Sequence, residues 1–401
     1  MESKQLNIMD LNNYCFGRIL KYLEIEDLVS FGETCMRFRE VLGEWINVLY
    51  PEFKIEDCYD LNDIEWELKL FFIVRGAIKR MKFVIGQPVA FPVNRFCNHV
   101  KSMDSLEDFT IYIGYQKVWQ FGIIDKVLSA LTSLPKLKSL IFSCNTQRFD
   151  ECKLIRFNCL KELELFYGIA VKDLVAICKS NANLRILKIE MGNGELNGIV
   201  PHCQNLEEIC FPISCSSYAR LAELPNIRKV VIYNGCSTSP PWPRLMEFFS
   251  AFAAQQQKTQ LESLILYPRI NFEVTTKLIE LKFLKELRCS FEDANCIDLL
   301  TDLTELEGLY IMLPRNGPGG NECLNVLRSC KKLQRLHINC KLSIEFIVDV
   351  LDVLRQVRNV EIQKPLQLCS NKYWDPSNEE EEKQANNAYC TIMDSRYFRI
   401  I

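Results

Sequence analysis

The sequence predicts an α/β solenoid, a curved parallel sheet inside with helices outside, preceded by a small all-α helical bundle. Three observations predict it. A short apolar cadence, Leu-x-x-Leu-x-Leu with conservative replacements, returns eleven times between Leu106 and Ile362, its starts 21 to 34 residues apart. Between cadences, apolar residues recur three and four apart, the period of a helix. Ahead of them, over residues 9–50, that helical period stands alone.

The cadence begins at Leu106, Phe109 and Ile111, then Leu137, Leu140 and Phe142, Leu160, Leu163 and Leu165, Leu184, Leu187 and Ile189, and Leu206, Ile209 and Phe211. It continues at Ile227, Val230 and Ile232, Leu261, Leu264 and Leu266, Leu284, Leu287 and Cys289, Leu306, Leu309 and Ile311, Leu333, Leu336 and Ile338, and closes at Val357, Val360 and Ile362. A period in the low twenties with this pattern is that of the leucine-rich repeat. Side chains alternate along a strand, so Leu163 and Leu165 turn inward while Glu162, Glu164 and Phe166 face out. One unit cannot bury its inward row alone, so units stack with their strands parallel. Val171, Leu174, Val175 and Cys178, like Ile344, Ile347, Val348 and Leu351, have helical spacing and mark the return path. That crossover is right-handed by the usual rule. A solenoid of this kind holds other macromolecules and seldom encloses a catalytic pocket.

Composition narrows the partners. The apolar content of 48% suits a folded chain, and a net charge of −3 leaves no broad basic field, which argues against nucleic acid. The start lacks the charged-then-apolar pattern of a secretory signal. The longest apolar run, residues 70–74, is far too short to span a bilayer. A soluble chain of the cytoplasm or nucleus is expected, with no membrane partner. In that setting the 19 cysteines read as reduced, small core residues. Cys203 and Cys330 stand three residues before a repeat's first leucine, where each would cap the preceding helix. No Cys-x-x-Cys occurs, and the nearest approach to a metal cluster, His202, Cys203, Cys210 and Cys215, lacks the close ligand pairs of structural zinc. No metal and no cofactor are expected. The histidines, His99, His202 and His337, lie far apart in sequence, with no nucleophile–base pair or metal motif beside them.

The stretch over residues 9–50 carries the second signal. Phe16, Ile19, Leu20 and Leu23 mark one apolar helix face, Leu28 and Phe31 a second, and Cys35, Phe38, Val41 and Leu42 a third. A bundle this short buries a limited core and gains from docking on something else. The order Leu11, Ile19-Leu20, Tyr22-Leu23, Asp27-Leu28, Cys35 and Phe38-Arg39 resembles the F-box. With leucine-rich repeats behind it, the chain is similar to the substrate receptors of Skp–cullin–F-box ubiquitin ligases. The spacing of Cys203 and Cys330 also resembles the cysteine-containing repeats of that family. The resemblance covers residues 9–50 and 104–365. It implies that the bundle binds the Skp adaptor, and through it a cullin–RING ligase, while the repeats bind a target protein for ubiquitin-dependent degradation. It implies no chemistry of the chain's own. Leu11, Phe16, Ile19, Leu20, Leu23 and Leu28 would include the adaptor contacts, unless some of them only hold the three helices together. The sequence departs from the family at Asn12 and Glu24, where proline is common, and at Thr34, where valine is frequent. At the ninth position of the repeats only Asn145 follows the pattern, with Gly168, Gly192, Ser214 and Gly235 in later units. The other reading is a leucine-rich-repeat scaffold or enzyme regulator, with residues 9–50 as an N-terminal cap.

The resulting organisation is a tail (1–8), the F-box (9–50), a linker and cap or degenerate repeat (51–103), the repeats (104–365) and a C-terminal tail with a short helix (366–401). Within the linker, residues 63–70 fit helix or strand equally, and residues 79–85 read as a strand. Leu245, Phe248, Phe249 and Phe252, with Pro243 at the start, suggest an enlarged repeat helix, and Trp242 beside them a packed corner. Residues 314–322 read as a turn. Ser377 and Glu380 have capping-box spacing, and residues 389–401 are apolar enough to fold back on the last repeat. Alternation also sets the residues facing out at the middle of each strand: Thr110, Ile141, Glu164, Lys188, Cys210, Val231, Ile265, Arg288, Tyr310, His337 and Glu361. The next outward positions include Tyr233, Tyr267, Met312 and Gln363. Cys210, Val231, Tyr233, Ile265, Tyr267, Tyr310 and Met312 then form an apolar and aromatic patch suited to binding the target protein.

Overall fold

The cadences become parallel strands and the stretches between them return the chain, over residues 8–57, 64–85, 91–113, 121–144, 151–191, 196–214, 217–235, 240–313, 320–339, 343–370 and 388–394 of a computed structural model. The chain divides into two units, Met1–Met191 and Gly192–Ile401. In the first, helices α1 (Asn13–Leu20), α2 (Ile25–Thr34) and α3 (Met36–Leu49) precede β1 (Phe53–Asp57), α4 (Glu65–Val74), β2 (Arg80–Ile85) and α5 (Val93–Val100). Then follow β3 (Asp108–Ile113), α6 (Phe121–Leu131), β4 (Ser139–Cys144), β5 (Glu162–Gly168), α7 (Val171–Ser180) and β6 (Ile186–Met191). The second unit holds β7 (Glu208–Pro212), β8 (Lys229–Tyr233), α8 (Trp242–Gln255), β9 (Ser263–Ile270), α9 (Phe272–Leu278), β10 (Glu286–Phe291) and α10 (Asn295–Leu299). It ends with β11 (Gly308–Met312), α11 (Gly320–Ser329), β12 (Arg335–Ile338), α12 (Ile344–Val357), β13 (Leu366–Ser370) and β14 (Cys390–Asp394). Within each unit every strand pairs in parallel with the next in sequence. This is the leucine-rich-repeat solenoid.

The repeats run further in both directions than the cadence. Residues 51–103 carry β1 and β2 in parallel register, Phe53 opposite Met81 and Met81 opposite Phe109. The ambiguous residues 63–70 belong to α4, whose Leu68, Leu70, Phe71 and Val74 are all buried. That helix packs on both α2 and β1, so apolar residues surround it and blur its period. At the other end the last cadence fails. Val357 closes α12, and Val360 and Ile362 lie in a turn, Ile362 81% exposed. The strand of that repeat is β13, past Pro365, so Glu361 and Gln363 are not sheet-face positions, and β14 continues the sheet within residues 389–401. Spacing alone could not choose between the two apolar triplets; the length of α12 did. Asn145, Gly192, Cys215, Ser377, Glu380 and residues 314–319 lie outside the described residues.

Neighbouring repeats are also linked by a polar side chain aimed at one equivalent carbonyl. Cys330, three residues before Leu333, donates to the Leu303 carbonyl at 3.3 Å and the Leu300 carbonyl at 3.7 Å. At the matching place Asn181 donates to the Phe157 and Ile177 carbonyls, both at 2.9 Å, and accepts from the Leu160 N–H at 3.0 Å. Thr259 does the same toward Ala222 at 3.2 Å and Leu224 at 3.3 Å. Each spans a helix end and the preceding repeat, where backbone groups would otherwise be buried without partners. The cysteine reading covers Cys330; Asn181 holds the same place three residues before Leu184 but is not a cysteine, and Thr259 stands one residue nearer its leucine. In the second unit, Leu245, Phe248, Phe249 and Phe252 of α8 are buried, and the Trp242 indole donates to the Arg269 carbonyl at 3.2 Å, making a packed corner.

Candidate functional site

Strand register builds the open face of the second unit. Cα pairing sets Cys210 opposite Val231, Val231 opposite Ile265, Ile265 opposite Arg288, Arg288 opposite Tyr310 and Tyr310 opposite His337. Adjacent members stand about 4.8 Å apart, the spacing of paired strands. Between Arg288 and Ser290, β9 supplies two more residues than β10, since Ser290 pairs with Arg269. An even insertion leaves the alternation in phase, so Ile270 stays buried opposite Phe291 while Tyr267 is carried out of the regular row.

Four rings and one guanidinium make a ladder across five strands, β8 to β12. Tyr233 and Tyr267 have centroids 5.1 Å apart. The Arg288 guanidinium carbon lies 5.4 Å from the Tyr267 ring and 4.3 Å from the Tyr310 ring. Tyr310 stacks on His337 at 4.0 Å and 24°. Each cation–ring contact contributes about 0.5–1 kcal/mol at such half-exposed positions.

Two predicted patch residues are not available there. Cys210 is 2% exposed and Val231 5%. Their side chains are short and lie low beside the ion pair of Lys229 with Glu208, 3.3 Å, toward which the Cys210 thiol also points at 3.6 Å. Tyr233, Ile265, Tyr267, Tyr310 and Met312 keep part of their surface in solvent. Arg288 joins the face instead, and His337, only 9% exposed, backs it by stacking on Tyr310. Both stood among the outward positions, and only the neighbouring rings give them a role, which residue-by-residue hydropathy does not report.

The first unit's sheet face is different. Lys82 pairs with Glu56 at 2.8 Å and Lys188 with Glu164 at 2.5 Å, closing that row with internal ion pairs. Their mutual hydrogen bond lowers the Glu56 carboxyl and raises the Lys82 ammonium, so both stay charged at neutral pH.

The helical bundle sorts the six predicted adaptor residues. Phe16, Leu20 and Leu28 are core and present no surface. Phe16 meets Phe31 at 5.9 Å and Phe38 at 5.1 Å, and Phe31 stacks on Phe38 at 4.3 Å. Gly17 lets the Trp45 ring lie on α1, because a Cβ there would fall 2.0 Å from that ring. A short bundle spends part of each apolar stripe on its own core. Ile19 remains exposed and Leu11 and Leu23 half-buried, joined by Ile8, Met9, Tyr14, Tyr22 and Met36, of which Tyr22 is 87% exposed. The stripe reading missed these; their hydrophobicity was visible, but not that the core was already full. Asn12, the departure from proline, caps α1 by accepting from the Cys15 N–H at 2.9 Å. Asn47 ties α3 to the turn between α4 and β2, donating to the Ala77 carbonyl at 2.8 Å and accepting from the Lys79 N–H at 3.1 Å.

The buried thiols are held protonated by desolvation, Cys330 pushed up to about 12 and Cys369 to about 11, which makes them core residues rather than nucleophiles. Among the described residues no group of His, Cys, Asp and Glu is arranged to hold a metal ion, and no helix is long and apolar enough to cross a membrane.

No protein-family model matches the chain, and no curated protein matches its sequence. Among solved structures it is similar to an internalin, InlF, of Listeria monocytogenes, at 14% identity and TM-score 0.40 over 82% of this chain and 85% of that one. It is similar to the leucine-rich repeat-containing protein LegL7 of Legionella pneumophila, at 10% identity and TM-score 0.37 over 68% and 89%. A chain of the Toll–Spatzle complex of Drosophila shares 14% identity at TM-score 0.38 over 73% and 43%.

Proposed function

We propose that the chain is a non-catalytic receptor whose second-unit sheet face holds a target protein and whose helices α1–α3 dock on the Skp adaptor of a cullin–RING ubiquitin ligase. The observation that carries the receptor half is the ladder from Tyr233 to Tyr310, a half-exposed row backed by the buried His337 and of the kind that anchors protein interfaces. Support for the adaptor half comes from the bundle, which leaves Ile19, Tyr22 and Met36 in solvent after its core is filled. Apolar surface of that kind on so small an element is what docking on an adaptor would use.

Two experiments test the halves separately. Purified Skp adaptor is expected to bind the full chain, and Ile19→Asp with Tyr22→Asp should weaken it by roughly 100-fold without changing the circular dichroism spectrum, because both side chains lie outside the core. Unchanged binding would leave residues 9–50 as a cap on a leucine-rich-repeat scaffold. For the face, Tyr267→Ala with Tyr310→Ala should remove target proteins from proximity labelling under proteasome inhibition while the adaptor stays. Retention of the same targets would place their site elsewhere.

A further inference from the structure

The face of the second unit carries a cation whose donors meet no acceptor among the described residues. Arg288 sits on β10, and Tyr267 and Tyr310 reach it from the two flanking strands. Among the described residues its guanidinium has these ring contacts and no carboxylate or carbonyl acceptor. The nearest acid on its own strand, Glu286, is engaged by Arg335 and by the Ser263 hydroxyl at 3.5 Å. Lysines at the matching positions of the first unit, Lys82 and Lys188, are by contrast paired internally. A guanidinium stacks through its flat faces, while its five N–H donors lie in the plane, at the rim. Rings on either side therefore hold the group without consuming a donor. They also remove much of the rotational freedom that an arginine loses on binding.

We infer that Arg288 is the anchor for a carboxylate side chain in an acidic segment of the bound partner. The inference rests on the reading of this face as the partner site and names the chemistry that the site selects. A fork of two parallel N–H donors matches one planar carboxylate. Arg269, exposed and paired with Ser290 in the ladder, is a second cation with no acidic partner among the described residues, diagonal to Arg288. Two cations on neighbouring strands suit two acids of one extended segment.

The test presents the full-length chain to three immobilised libraries of short peptides with random flanks and a fixed central glutamate, glutamine or phosphoserine. The glutamate library is expected to retain the wild type at least roughly ten-fold better than the glutamine library. Arg288→Gln should erase that preference, and Arg288→Lys, which keeps the charge but loses the fork, should recover only part of it. Equal retention on glutamate and glutamine, a preference for phosphoserine, or a preference that survives Arg288→Gln overturns the inference. So does a preference that emerges only after Glu379, Glu380, Glu381 and Glu382 are changed to glutamine, which would assign the site to the chain's own acidic run. Proximity labelling separates this failure from that of the face itself. Targets lost in the Tyr267 and Tyr310 variant but kept in Arg288→Gln leave the face standing and sink the carboxylate; targets kept in both sink the face.

Discussion

Asn181→Ala is expected to destabilise the first unit by about 3 kcal/mol, near the top of the range for buried hydrogen-bonding groups. The side chain is 1% exposed and satisfies the Leu160 N–H and the Phe157 carbonyl, one residue bridging two repeats. Alanine leaves both groups in a dry site, and each unsatisfied group costs about 1–3 kcal/mol. Asn181→Cys should cost roughly half as much, because a thiol can reach the Phe157 carbonyl as Cys330 reaches Leu303 but offers little to the Leu160 N–H. The measurement is urea denaturation followed by circular dichroism, with hydrogen exchange at the Leu160 amide as the local report. An unchanged midpoint together with undiminished protection at Leu160 would show that the bridge contributes nothing. In a solenoid such a loss is felt mainly at one repeat interface, so the local amide is the more sensitive probe.

Gly235→Ala should destabilise the second unit by about 3 kcal/mol or more, in the range for overpacking against atoms that cannot move. A Cβ at Gly235 would lie 1.7 Å from the Ile213 carbonyl oxygen and 2.9 Å from its carbon. No rotamer relieves a clash with backbone, so the ends of β7 and β8 must separate, with loss of the 3.0 Å bond from the Ile213 N–H to the Tyr233 carbonyl. Tyr233 opens the aromatic ladder, so partner binding should weaken with stability. Gly168, at the same place in its own repeat, has nothing within 4 Å of such a Cβ, and Gly168→Ala should leave the melting temperature almost unchanged. Equal melting temperatures for both alanine variants would contradict the assigned packing.

These two glycines show where sequence reading stops. Both occupy the ninth position of the repeat, where a turn residue is expected, and nothing in either flank separates them. The difference is the distance to the preceding strand's end, which depends on how two repeats stack. Two residues of the predicted patch are buried for the same kind of reason. Alternation correctly turned Cys210 and Val231 away from the helices, but short side chains beside Glu208 and Lys229 do not reach solvent. Arg288 was visible as an outward residue, and its contact with Tyr267 depends on the two extra residues of β9. The last cadence was misplaced because Val357 fits equally as the end of a helix or the entry to a strand, and only α12 settled which.

By itself the sequence determined the repeat, its inward leucines, the helical bundle ahead of it and the strands on which a partner face would lie. These are properties of period, written locally and read one strand at a time. The tertiary structure decided which outward side chains reach solvent, which glycines are irreplaceable, which bundle residues are core, and which polar groups bridge repeats. Each of those depends on what an adjacent strand or helix brings within a few ångströms, and register, bulges and stacking distance set that, not the period.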